Sequence, residues 1–290
     1  MKQERKPITV LVPLHHFEWE GNSFPFSDNF LLTRDPNLPD FGDLEGAISN
    51  VELEDSQGIP HWLRFVVNSN DLTPAEIVTT FLLALWLAVP SKTQANYYFE
   101  FARSEKRFTR ILERFQWVEP YAAEVIETQQ LETAKAYWVP LQTIWKSRKR
   151  LWDSLALTAA GCMSKRWQVA IICFAAALES ILTYDKAPGI TRRLASSFAC
   201  LTQTTKNARD SAFQEFCKIY GVRSDIMHGR IHDIPYGKRL ELVNNTSNLL
   251  RSLWRVVLLA PTVMEGLDKG DKGRKVFLKG IQGGYKVPHV

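Results

Sequence analysis

Ser164-Lys-Arg-Trp-Gln-Val-Ala-Ile-Ile-Cys-Phe-Ala-Ala-Ala-Leu-Glu-Ser-Ile-Leu-Thr-Tyr184 carries its apolar residues at helical spacing. Trp167, Ala170, Ile171, Phe174, Leu178, Ile181 and Leu182 fall on one broad face, which is the pattern of a helix packed among other helices. Ser164 serves as a capping residue, and Pro188-Gly189 closes the segment. Working outward, helices are expected at Ile190–Leu201, at about Asn207 to Tyr220 with a stop at Gly221, and from Gly237 to Leu259. Upstream, Arg103–Phe115 reads as an amphipathic helix and Tyr121–Ala160 as a long one punctuated by Pro140. Thr73-Pro-Ala-Glu76 marks another start, because Thr73 can cap, Pro74 suits the first helical position and Glu76 completes a capping box; Pro90 ends that helix.

Outside this helical stretch the chain changes character. Residues 1–70 are rich in turn formers, with short strands expected at Ile8–Val12 and Trp62–Val67 and a loop at Asp35–Asp43. Beyond Pro261 the chain is rich in glycine and lysine, which reads as a flexible basic tail with at most one short ordered turn. The expected fold is mainly α. It comprises a mixed α/β N-terminal region over residues 1–120, an antiparallel helical bundle over 121–262 and a basic tail over 263–290.

A chain of 290 residues with 45% apolar and 23% charged residues is that of a globular protein rather than a disordered one. The N-terminus lacks signal-peptide character, and Ile77–Val89 is shorter than the roughly 20 residues of a spanning helix, so no membrane association is expected. Cys162, Cys173, Cys200 and Cys217 show no metal or redox spacing and read as reduced packing residues of a cytoplasmic protein. Charge is distributed unevenly. Residues 1–185 carry 18 Lys/Arg against 23 Asp/Glu, whereas residues 186–290 carry 18 against 8. Such a field draws polyanions to the C-terminal part, without distinguishing RNA from DNA or lipid. The first 76 residues, at a net −8, are no nucleic-acid surface.

Within the basic part lies Phe216-Cys-Lys-Ile-Tyr-Gly-Val-Arg-Ser-Asp-Ile-Met-His-Gly-Arg230. Arg223, the polar Ser224 beside it and His228 resemble the R-x4-H signature of HEPN domains, and the match is nearest to the Apea-like HEPN group of bacterial proteins. Ala177–Asp185 and Thr191–Ala199 are similar to that group's preceding helices, with either Arg192 or Arg193 in the family position. In the N-terminal half, Val12-Pro-Leu14 and Phe81–Pro90 resemble segments that accompany the domain. The resemblance implies a metal-independent endoribonuclease, a homodimer with two motifs in one cleft, and a role in phage defence or stress response. It implies Arg223 and His228 as catalytic residues. Ser224, Asp225, Glu179 and Arg193 would support them, Lys218 and Arg230 would hold RNA, and the N-terminal region would sense a signal or meet a regulatory partner protein.

The chemistry suits these residue types. Attack by a ribose 2′-hydroxyl needs one proton removed and another delivered, and histidine titrates near neutrality. The pentacoordinate phosphate gathers negative charge that a guanidinium matches with charge and a fork of donors. No cofactor or metal is called for. On a straight helix, five residues turn through roughly 500°, which leaves Arg223 and His228 about 140° apart. Either the backbone bends near Gly221, or a second copy completes the site. Glu179, acidic on an apolar helix, requires a partner, which is either an arginine near the cleft or Arg192/Arg193. Two plainer readings stand beside these: a non-catalytic HEPN module for dimerisation and RNA, nucleotide or protein binding, and a histidine that is merely packed. His228 and His232 have the spacing of a metal pair, but no third ligand is identifiable and a metal is not expected; His15-His16 reads as a surface loop or strand end.

Overall fold

The computed structural model describes residues 7–37, 56, 58–68, 72–102, 105–110, 125–147, 149–184, 189–231 and 234–284. It is mainly α, with one small antiparallel sheet. The chain forms two compact units, and the division between them falls between Trp138 and Val139, next to Pro140.

The first unit holds strands β1 (Ile8–Pro13), β2 (Ser23–Ser27), β3 (Phe30–Thr33), β4 (Trp62–Val67), β5 (Tyr97–Ala102) and β6 (Glu105–Arg110), in sheet order β2-β3-β4-β1-β5-β6. Helix α1 (Pro74–Ala88) begins as its sequence indicates, since Thr73 accepts from the Glu76 N–H and Glu76 reaches back to the Thr73 N–H at 2.9 Å. Phe81 of α1 meets Phe26 and Phe30 edge-on at 5.3 and 5.8 Å between ring centroids, which joins the helix to one face of the sheet. The other face carries the aromatic cluster of Trp62, Tyr97 and Phe99 around Leu11.

The amphipathic helix expected over Arg103–Phe115 is corrected where it is described. Residues 105–110 are β6, paired with β5 so that Phe99 faces Phe108. The aromatic run Tyr97-Tyr-Phe-Glu-Phe101 has high strand preference and supplies a template, so cross-strand pairing overrides the weak helical pattern of 105–110. Residues 103–104, 111–124, 38–43 and 185–188, on which other expectations fell, lie outside the described residues.

Helix α2 (Thr128–Ser147) spans the division, with Pro140 inside it. The second unit continues with α3 (Arg150–Met163), α4 (Trp167–Leu182), α5 (Ile190–Thr202), α6 (Lys206–Met227), α7 (Tyr236–Leu259), α8 (Pro261–Asp268) and α9 (Asp271–Gln282). Helices α3 and α4 approach closely at Gly161, where an added Cβ would come within 2.4 Å of the Phe174 ring. The buried Ser154 hydroxyl donates to the Ala177 carbonyl at 2.9 Å, and Trp254 of α7 donates to Thr158 at 3.1 Å.

The flexible tail expected after Pro261 is also corrected. Residues 261–268 and 271–282 are helical, and Arg274, Leu278 and Ile281 of α9 are buried at i, i+4, i+7 spacing. That stripe is obscured in the sequence because one of its three members is an arginine and glycines interrupt the pattern. Arg274 is fully buried and donates to the carbonyls of Leu267 (2.6 Å), Ser180 (3.0 Å) and Thr183 (3.3 Å). Arg150 donates to the same Ser180 and Thr183 carbonyls and pairs with Asp271. Two guanidiniums thus cap the C-terminus of α4, where the helix dipole and orphan carbonyls favour positive charge.

Candidate functional site

Helix α6 does not stop at Gly221; it continues to Met227. Gly221 has room for a side chain and no left-handed φ, so it is an ordinary helical glycine whose cost, about 1 kcal/mol against alanine, the packed helix carries. The helix ends at His228 and Gly229. The Gly229 N–H bonds the Ile226 carbonyl at 3.1 Å and the Arg230 N–H bonds the Asp225 carbonyl at 2.8 Å, with Gly229 at φ +65°. This is a Schellman motif with His228 as the cap residue. The motif therefore lies on one uninterrupted helix and its terminus, and the bend considered near Gly221 does not occur as a break in that helix.

Arg223 sits one turn before the helix end. Its Nη2 is 3.6 Å from Oε2 of Glu179 on α4, and each side chain is about one-third exposed. Glu179 thus has its partner in Arg223. The guanidinium lies over the Tyr220 ring, 5.8 Å from its centroid. Tyr220 is buried and stacks on Phe216 at 5.3 Å, while Phe216 contacts Phe198 of α5 at 5.3 Å. Burial, reinforced by the neighbouring Glu179 carboxylate, pushes the Tyr220 phenol far above its ordinary range, so it stays protonated. Tyr220, expected from the sequence only as a helix end beside the motif, was not among the expected site residues. Its place one turn before Arg223 on the same face was the available signal.

The remaining expected site residues are distributed around this cluster. His228 is exposed, its backbone N–H bonds the Ser224 carbonyl at 3.0 Å, and among the described residues no hydrogen bond holds its ring. Asp225 pairs with Arg230 at 3.6 Å on the surface, and Lys218 is exposed on α6. Arg193 on α5 stacks over Tyr184 at 6.0 Å, and its carbonyl accepts from Gln282; Arg192 is exposed. His232 lies outside the described residues, among which no group of three or more His, Cys, Asp or Glu side chains is placed to hold a metal ion. No helix among the described residues is long and apolar enough to cross a membrane.

No protein-family model, curated protein or solved structure matches this chain.

Proposed function

We propose that this chain is a metal-independent endoribonuclease of HEPN type that works as a homodimer. The observation that carries the reading is the pre-ordered Arg223, held by Glu179 and Tyr220 in the last turns of the helix that His228 terminates. His228 would take the 2′-hydroxyl proton or protonate the departing 5′-oxygen, and Arg223 would meet the charge growing on the phosphate oxygens. DNA, without a 2′-hydroxyl, is not a substrate. Arg223 and His228 diverge on a continuous helix, so two copies, each contributing one pair, supply both proton transfers at one phosphate. Lys218 and Arg230, both exposed, would bind backbone phosphates. The acidic N-terminal unit would restrain the enzyme until a signal or regulatory protein reaches it, in keeping with a cytoplasmic defence or stress role.

The expected result is cleavage of single-stranded RNA in EDTA, leaving cyclic-phosphate ends. The His228→Ala variant should be slowed by roughly 10²–10⁴-fold, the contribution of a general acid or base. Cleavage by His228→Ala at the wild-type rate would refute the mechanism.

One observation favours a second reading. The His228 ring has no orienting partner among the described residues, and the Arg223 charge is already answered by Glu179. Under that reading the HEPN bundle binds RNA, a nucleotide or a partner without turnover. Salt-sensitive RNA binding that survives His228→Ala, with no product from wild type, would select it.

A further inference from the structure

An arginine on an open helix surface is a poor catalyst until it is ordered, because its long side chain must give up rotamer entropy to hold one geometry. Arg223 escapes that condition. Its Nη2 lies 3.6 Å from Glu179 Oε2, its central carbon lies over the Tyr220 ring at 5.8 Å from the centroid, and its Nε is buried without a hydrogen-bond partner among the described residues. The ring beneath is itself packed: Tyr220 is 5% exposed and stacks on Phe216 with planes 13° apart, and Phe216 is fully buried. An aromatic column of Phe198, Phe216 and Tyr220 therefore runs from the bundle core to the guanidinium.

We propose that Tyr220 is a positioning residue that, together with Glu179, fixes the Arg223 guanidinium so that its remaining edge is presented to the scissile phosphate. This rests on the ribonuclease reading of the same site. The ring supplies a face for the cation, and the Glu179 carboxylate attracts it from the side and balances its charge before substrate arrives. The phenol does not act as a base. It is buried beside a carboxylate and stays protonated, and its oxygen has no hydrogen-bond partner among the described residues, so the aromatic face rather than the hydroxyl orients the guanidinium. The geometry of the catalytic group is thereby set in advance instead of being purchased from substrate binding.

The test uses the full chain and three variants: Tyr220→Phe, Tyr220→Leu and Glu179→Gln. Two readouts are taken, steady-state cleavage of a single-stranded RNA oligonucleotide and the NMR signal of the Arg223 Nε–H in the resting protein. Tyr220→Phe keeps the ring and should stay within about threefold of wild type in kcat, with the NMR signal retained. Tyr220→Leu and Glu179→Gln should lose roughly tenfold or more in kcat with KM within about twofold, and the Arg223 signal should broaden or exchange faster. In Tyr220→Leu a purely structural tyrosine would lower the folded fraction while leaving kcat per folded molecule and the Arg223 signal unchanged. If wild type cleaves and both disruptive variants match it, the inference is overturned while the ribonuclease reading stands. If nothing cleaves RNA, that reading fails, and an Arg223 signal unchanged in both variants overturns the positioning role as well. Should Tyr220→Leu fail to fold, the Glu179→Gln result decides by the same criteria.

Discussion

Replacing Arg274 with methionine keeps most of the aliphatic stem in place and removes a fully buried guanidinium. The consequences follow from who else serves its three acceptors. Ser180 and Thr183 carbonyls keep Arg150 as a donor, at 3.2 and 2.9 Å, whereas the Leu267 carbonyl loses its 2.6 Å bond from Arg274. An orphaned buried carbonyl costs about 1–3 kcal/mol, and each lost charge-assisted bond adds to this. Part is returned, because burial and the adjacent Arg150 already strain the Arg274 charge, pulling its pKa down to about 10. The expected net loss is about 2–3 kcal/mol. Arg150 is one-third exposed, and Arg274 continues to serve both of its carbonyls, so Arg150→Met should cost about 1 kcal/mol or less. The double variant strips both carbonyls of every guanidinium donor, and its loss should exceed the sum of the single losses by roughly 1–2 kcal/mol. Equilibrium urea unfolding of the full chain, followed by far-UV circular dichroism, measures all three. A loss below about 0.5 kcal/mol for Arg274→Met, or strict additivity of the pair, would refute the shared-cap account.

Three further outcomes are expected. Gly221→Ala should raise stability by about 0.5–1 kcal/mol, since a Cβ there meets no atom within 4 Å, and thermal unfolding would show it as a higher midpoint. Gly229→Ala should instead lower stability by roughly 1 kcal/mol, because φ there is +65°; an unchanged midpoint would contradict the Schellman cap. His61 is buried beside Arg34, with its Nε2 3.1 Å from Arg34 Nε and 2.9 Å from the Trp19 carbonyl, and burial foremost holds its pKa below 6.5. The unfolded chain therefore takes up this proton first. The stability contribution is complete above about pH 6.5 and is lost as pH falls from there through the folded value, so the thermal midpoint should drop on acidification and drop less in His61→Gln.

Much of the molecule was legible because local chemistry and tertiary demand agree. Thr73-Pro-Ala-Glu76 supplies every part of a capping box by itself, and α1 begins there. The apolar face of 164–184 has no way to be buried except among other helices, so α4 was foreseeable within a few residues at each end. Disagreement arose where a residue has two uses. Gly221 and Gly229 are the same amino acid eight positions apart, one tolerated inside α6 and the other required at its end by a left-handed φ, and the choice depends on the packing of Phe216 and Ile219 that keeps the helix going.

The chemical inventory of the candidate site is legible in the chain alone: Arg223, His228, Glu179 and a positively charged C-terminal third. So is the need of Glu179 for a partner, since a carboxylate on an apolar helix cannot be left unanswered. Which cation answers was decided only when α4 and α6 packed, 44 residues apart in sequence between Glu179 and Arg223, and brought those side chains to 3.6 Å. The same packing made Tyr220 the floor beneath the guanidinium, and turned an apparent tail into α9 by offering the Arg274 charge three buried carbonyls. Composition and period describe what a segment prefers alone. Pairing of charges and orphan carbonyls across elements is a long-range energy that exists only after the chain has folded.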